Sequence, residues 1–398
     1  MSYFSRLKDI SFIRKCLLFT THFLGYLNRV IPKKEKQILF YDSGRDFLDD
    51  NTEALYSWMC MHGYDKRYKL VVCVPRETTR LPFSHYEPIG ALKGIWAYLR
   101  SKYVFYSFGD FRIEPSKKQV VINQWHGTPL KTIGKLTNYS VYANERLDCF
   151  TYVLSASDFF KPILAKAFGC DESKVMVLGH TRIDYLFSTK EALACIGIEK
   201  GNYKKLFLWM PTFRTSNDGR FHDLGSGENT SLPIAGTYAE LELLNRFLIA
   251  RKALLVVKVH PLATFKSNKN FSNILVLKNE DTISRGVRLY ELVKEFDALI
   301  TDYSSIFCDY LVLDRPMAFT LDDMEAYGHN RGFILSDLTN YMPGHHVRTM
   351  DDFRAFIDDC IHDKDPYAAE RKRVLPFFCK YSDGNNCKRL LEKVHITL

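Results

Sequence analysis

Most of the features that would place this 398-residue chain at a glance are missing from it. Its ten cysteines form no CxxC pair and no Cys/His cluster at zinc-finger spacing. This argues against a disulfide framework and a structural zinc, and for reduced, mostly buried thiols. His345-His346 is an adjacent pair, but no nearby cysteine or carboxylate array completes a metal site. No Asp-x-Asp ends an early strand as a metal clamp. The paired acids Asp49-Asp50, Asp322-Asp323 and Asp351-Asp352 read as loop or helix-start charge. No apolar run reaches the ~20 residues a membrane-spanning helix takes. The longest candidate, 16–27, is interrupted by His22, and no small-residue cleavage site of a signal peptide follows it. There is no internal repeat and no low-complexity tract. The basic residues form no aromatic-interleaved stripe, and no nucleic-acid-binding signature appears.

What is present describes a folded protein. The composition is 46% hydrophobic and 25% charged, and the length suffices for two domains with substantial cores. The net charge of +9 points to an anionic partner, whether nucleic acid, phosphorylated substrate or membrane surface. Part of that charge surrounds the apolar N-terminal run: Arg6, Lys8, Arg14, Lys15, Arg29, Lys33, Lys34 and Lys36. Residues 1–36 therefore read as a basic amphipathic segment. It either lies in a membrane interface through Phe4, Phe12, Leu17, Leu18, Phe19, Phe23 and Leu24, or packs on the first domain.

Short apolar runs then alternate with helix-like segments, which predicts parallel sheets with helices on both faces. Strands are expected at "ILFYD" (from 38), "KLVVCVP" (69), "KYVFYSF" (102), "QVVIN" (119), "YVLSAS" (152) and "KVMVLG" (174). A second set follows at "KKLFLWMPTFR" (204), "ALLVVKVHP" (253), "NILVLK" (273), "DALITDYSS" (297) and "RPMAFT" (315). The stretch "STKEALACIGIEKGNYK" between the sets reads as a helix plus linker. "TSNDGRFHDLGSGENTSLPIAG" is long enough to read as a functional loop.

Ligands of open parallel sheets bind beyond the carboxyl ends of the strands. Five strand ends carry polar residues there: Trp125-His126-Gly127-Thr128-Pro129, Gly179-His180-Thr181-Arg182, Pro211-Thr212-Phe213-Arg214, Lys258-Val259-His260-Pro261 and Thr301-Asp302-Tyr303-Ser304-Ser305. A helix beginning at Ser304 or Ser305 would offer free N–H groups to a phosphate, with Asp309 one turn in to accept from sugar hydroxyls. The plainer alternative is that Ser304 only caps that helix.

"WHGTPLK", "PTFR", "KVHP" and "TDYSSIFCDYLVLDRPMAF", with "YGHNRGF" behind, resemble the CDP-glycerol glycerophosphotransferase family, which builds teichoic acids and related capsule polymers. The matches run in family order from Trp125 to Phe333, over half of the chain; the first hundred residues match only in general character. The chain departs at "GHTRIDYL", where the family usually has a small residue and proline before the arginine. Its length is that of the shorter, primase-type members.

The resemblance implies the GT-B fold, with two doubly wound Rossmann-like domains facing a central cleft: 37–190 on the acceptor side and 191–398 binding the CDP-alditol donor. It implies transfer of glycerol phosphate from CDP-glycerol to a lipid-linked or polymeric hydroxyl, with release of CMP, at the cytoplasmic face of the bacterial membrane. His126 becomes the candidate base. His260 would polarise the donor phosphates, with Arg182, Lys258 and the N–H groups at Ser304-Ser305. Pro211 and Thr212 would line the cytidine pocket, Asp309 would hold donor hydroxyls and Arg331 would neutralise phosphate. Trp125, Gly127, Thr128, Pro129, Arg214 and Pro261 complete the expected donor contacts. No cofactor, essential metal or nucleic acid is expected; cationic side chains and a helix start take the metal's place. The competing readings are a CDP-ribitol ribitolphosphotransferase, a GT-B glycosyltransferase using a CMP-sugar and a non-enzymatic anion-binding module.

Overall fold

A computed structural model describes residues 11–42, 47–74, 86–107, 111–137, 145–212, 232–258 and 271–398, without the side chains of 11–18, 330 and 331. The chain forms two compact units. The first comprises Met1–Thr128, Ile133–Phe187 and Lys380–Leu398; the second comprises Pro129–Thr132 and Ser188–Cys379.

The first unit contains α1 (Ser11–Val30), β1 (Lys34–Tyr41), α2 (Asp50–Met61), β2 (Lys69–Cys73), α3 (Ala91–Arg100), β3 (Ser101–Tyr106), β4 (Val120–Asn123), β5 (Tyr152–Ser155), α4 (Lys161–Phe168) and β6 (Val175–Val177). Its strands make one parallel sheet in the order β2-β1-β3-β4-β5-β6. Phe40, Phe105, Ile122 and Leu154 are buried on one face, and Leu39, Val104, Val121 and Val153 on the other. That two-sided burial is why these strands read as unbroken apolar runs.

The second unit contains α5 (Ala192–Cys195), β7 (Lys205–Trp209), α6 (Tyr238–Ala250), β8 (Ala253–Lys258), β9 (Ile274–Leu277), α7 (Asn279–Ile283), α8 (Leu289–Val293), β10 (Ala298–Thr301), α9 (Ile306–Tyr310), β11 (Met317–Thr320), α10 (Met324–Arg331), β12 (His345–Val347), α11 (Met350–Ile361) and α12 (Ala368–Phe378). Its sheet is also parallel, ordered β12-β11-β10-β7-β8-β9. Read from the other edge this is the dinucleotide-fold order, whose direction reverses between β7 and β10. Every residue of β8, β10 and β11 is buried.

All eleven expected strands are present, and β12 is added. It is three residues long and carries the His345-His346 pair, so no apolar run announced it. The second half differs from a plain 191–398 domain. After α12 the chain returns to the first unit, where α13 (Asn386–Lys393) buries Cys387, Leu390 and Leu391 against the first sheet. The Asp184 carboxylate accepts the first free amides of that helix, from Asn386 at 2.9 Å and Cys387 at 2.8 Å. Asp184 thus serves the role of an N-cap from 202 residues away.

Helix α1 packs on the first unit through one face and leaves the other exposed. Asn28 is buried, donating to the Glu114 carbonyl at 2.8 Å and Gln119 Oε1 at 2.9 Å. Lys33 Nζ donates to the Asn28 carbonyl at 2.8 Å, and burial lowers its pKa to about 8. Leu24, expected on the membrane side, packs inward. The outward face carries Phe19, Phe23, Tyr26 and Val30, at the i, i+4, i+7, i+11 spacing of one helical stripe. Leu92 and Trp96 on α3 are also exposed. Among the described residues no helix is long and apolar enough to cross a membrane.

Candidate functional site

The polar strand ends form one constellation in each unit. In the first unit, β4 stops at Asn123 because its side chain turns back to accept the Trp125 amide at 2.9 Å. Trp125 then takes φ +55, a left-handed backbone uncommon for a bulky residue, and Gly127 takes φ +120, where glycine's lack of a Cβ is needed. The Trp125 indole lies 4.1 Å from the His126 ring, centroid to centroid, and stands edge-on to Phe168 at 5.0 Å.

His126 as a residue is partly exposed, but its Nδ1 is buried. Burial, helped by the neighbouring Arg182 charge and by His180, pushes its pKa down to about 3. The imidazole is therefore neutral at physiological pH, and without substrate it is a weak base. The indole N–H of Trp125 and the Thr128 hydroxyl are buried without a hydrogen-bond partner among the described residues.

Arg182 belongs to this first constellation. Its guanidinium donates to Asp50 Oδ1 at 2.6 Å and to the His126 carbonyl at 3.0 Å. It was expected on donor phosphates, but the buried pair with Asp50 and the bond to the carbonyl account for its placement. Asn51, buried at the start of α2, joins the same cluster. Neither Asp50 nor Asn51 stood out in the sequence, since an acid and an amide at a helix start usually cap that helix.

In the second unit the direction change of the sheet brings the ends of β7 and β10 together. The Thr212 amide donates to Asp302 Oδ2 at 2.6 Å, and the Thr212 hydroxyl bonds Asp302 Oδ1. Asp302 is fully buried, and its position at the switch point is the signal that marks it. Pro211 precedes this pair. Lys258 ends β8, buried, with Nζ bonded to Asn279 Oδ1.

Helix α9 after Ser304-Ser305 has five residues and no side-chain cap bond from Ser305. So short a helix sums few peptide dipoles, which weakens the expected phosphate cradle. Asp309 faces inward: it is fully buried and its carboxylate takes the Tyr290 hydroxyl. That orientation ties α9 to α8.

Pro129–Thr132 completes this unit. Lys131 pairs with Phe333 in an antiparallel bridge, the Thr132 amide donates to the Gly332 carbonyl at 3.2 Å, and the Ile334 amide donates to the Leu130 carbonyl at 2.8 Å. Lys131 Nζ lies 5.1 Å from the Tyr327 ring centre, and Tyr327 stacks on Tyr303 at 4.8 Å. "HGTPLK" and "YGHNRGF" are thus paired segments. His260, Pro261, Arg214 and the long 213–231 stretch lie outside the described residues, as does the Arg331 side chain.

Two doubly wound parallel sheets with polar strand ends define the GT-B class of α/β proteins. Residues 24–396 match the family described as CDP-glycerol:poly(glycerophosphate) glycerophosphotransferase, and the chain belongs to that family of phosphotransferases. The membership sides with the transferase readings against the CMP-sugar enzyme and the binding module.

The chain is 28% identical over 96% of its length to the teichoic acid ribitol-phosphate polymerase TarL of Staphylococcus aureus (strain NCTC 8325 / PS 47), and spans 65% of that protein. It is 26% identical to a teichoic acid poly(glycerol phosphate) polymerase of Bacillus spizizenii (strain ATCC 23059 / NRRL B-14472 / W23), covering 92% of this chain and 93% of that one. A solved structure of a histidine-to-alanine variant of the wall teichoic acid polymerase TagF superposes with a TM-score of 0.74 at 19% identity, covering 99% of this chain and 98% of the other.

Proposed function

We propose that this chain transfers glycerol phosphate from CDP-glycerol to a hydroxyl of a lipid-linked or polymeric teichoic or capsule acceptor. The acceptor oxygen forms a bond to the glycerol-bearing phosphorus, the pyrophosphate P–O bond to CMP breaks, and CMP leaves with the electron pair. His126 takes the acceptor proton. The observation that carries this reading is the imidazole itself: neutral, aimed from a left-handed strand end, and backed by a buried arginine. A positioned general base contributes typically ~10²–10⁴-fold to such a reaction. The indole N–H and hydroxyl beside it suit acceptor oxygens. On the donor side, Pro211, Thr212 and Asp302 at the switch point suit the nucleotide. Lys258, Ser304, Ser305 and, from outside the described residues, His260, Arg214, Pro261 and Arg331 would surround the phosphates and stabilise their charge.

A ribitol donor is the second reading. It is favoured by the identity to TarL, whose name specifies ribitol phosphate. CMP release with CDP-glycerol or CDP-ribitol, each with a lipid-linked saccharide acceptor, separates the two. Release from neither donor sinks the proposal.

The membrane is the proposed workplace. The exposed stripe Phe19, Phe23, Tyr26 and Val30 supplies an apolar face, and Arg29 and Lys34 are exposed near its end. Such a face with basic neighbours suits the surface of an anionic bilayer.

A further inference from the structure

Two successive carbonyls at the end of β4 are held by side chains from distant parts of the chain. The Trp125 carbonyl accepts Asn51 Nδ2 at 2.9 Å, and the His126 carbonyl accepts Arg182 Nη1 at 3.0 Å. The two donors are themselves joined. The Arg182 amide donates to Asn51 Oδ1 at 3.1 Å, Arg182 Nη1 also donates to Asp50 Oδ1 at 2.6 Å, and Thr181 Oγ1 donates to the Asn51 carbonyl at 2.7 Å. Asn51 and Arg182 are buried.

This arrangement is unusual for a residue in the first turn of a helix. Asn51 turns both ends of its amide to other segments: the nitrogen to the β4 loop, the oxygen to the Thr181-Arg182 turn. What they enclose is the peptide between Trp125, at φ +55, and His126. A left-handed backbone at a tryptophan is unfavourable, and it persists where its surroundings over-determine it. Four bonds converge here: Asn123 holds the Trp125 amide, Asn51 its carbonyl, Arg182 the next carbonyl, and Asp50 fixes Arg182. Three of these bonds fall on the successive peptide units that run through Trp125 and His126, so the carbonyls on both sides of the residue that carries the imidazole are held.

We propose that Asn51 and the Asp50–Arg182 pair are positioning residues that clamp the Trp125–His126 peptide and so aim the His126 imidazole at the acceptor hydroxyl. The catalytic consequence rests on His126 being the base; the clamp itself does not. Asn51→Asp is the sharpest test, because it keeps the size and the acceptor oxygen but replaces the donor to the Trp125 carbonyl. In the full chain, with whichever CDP-alditol releases CMP, the variant is expected to lose about 10²-fold in kcat, the effect of a small misplacement of a reacting group. KM for the donor should stay unchanged.

The His126 ring signal, followed by NMR in protein with isotope-labelled histidine and assigned by its loss in His126→Ala, should shift. A merely structural role would lower the melting temperature and leave the ring signal of the folded fraction in place. If Asn51→Asp does not fold, Arg182→Lys is read the same way; it keeps the charge but removes the Nη1 that donates to both Asp50 and the His126 carbonyl. An unmoved His126 signal, or normal kcat with a moved one, overturns the proposal. Near-normal turnover in His126→Ala instead overturns the catalytic reading on which the consequence rests.

Discussion

His126 is where the proposed chemistry narrows to one side chain. Removing it as His126→Ala should cut CMP release by about 10²–10⁴-fold with the fold intact, measured as turnover alongside a melting curve. A variant that keeps its turnover is not missing a base. Its pKa carries a second prediction. In the unfolded chain a histidine titrates near ~6.5, whereas the native environment holds this one near about 3. Between those values the unfolded state binds more protons, so stability rises with pH, by at most about 1.4 kcal/mol per pH unit. Acidifying from neutrality to about pH 5 should therefore erode the wild type more steeply than His126→Gln, read as urea midpoints at the two pH values. Equal slopes would mean that the native ring takes up its proton as readily as a free one. The sequence made His126 visible because a histidine, a glycine and a proline end an apolar strand together. It could not show Asp50, Asn51 and Arg182 as its companions. They come from segments 74 and 131 residues apart along the chain, and only the fold joins them.

Among the elements, the strands were the most legible, since double burial makes each a compact apolar word. The short helices were not. Residues 192–195 and a 3-10 turn at 200–202 are the helical parts of the expected segment before β7, and α9 is too brief for its supposed dipole. The returning helix α13 was hidden because its polar face reads as an ordinary tail. Its docking gives a prediction: Asp184→Ala should destabilise the protein by about 1–2 kcal/mol, as loss of a helix N-cap does. Unchanged chemical denaturation would show that Asn386 and Cys387 manage without that carboxylate. The pairing of 129–132 with 332–334 gives another. Gly332 has φ +73, and a Cβ there would come within 3.2 Å of the Thr132 side chain. Gly332→Ala should thus cost about 1–3 kcal/mol of strain and disturb Lys131 through its bridge to Phe333. Normal stability and normal activity together would count against any tight pairing there.

At the scale of the whole molecule, α1 bears on where the protein works. The protein is expected to sediment with anionic vesicles at low salt, and much less at high salt, because surface charges are screened over ~10 Å at 0.1 M. Replacing Phe19, Phe23 and Tyr26 with serine should release it without unfolding, since all three side chains point outward. Sedimentation that survives this triple change would place the attachment elsewhere. The route of the backbone has a different consequence. It passes between the units after Thr128, Thr132, Phe187 and Cys379, four times in all. The first sheet is translated early, yet the helix that packs Leu390 and Leu391 on it and receives the Asp184 carboxylate is made only after the entire second unit. On the ribosome, where domains ordinarily mature in the order they emerge, this one must wait with an apolar flank open until its last helix arrives. A proteolytic nick after Phe187 would make two polypeptides, yet each would keep a part in both units, 129–132 in one and 380–398 in the other.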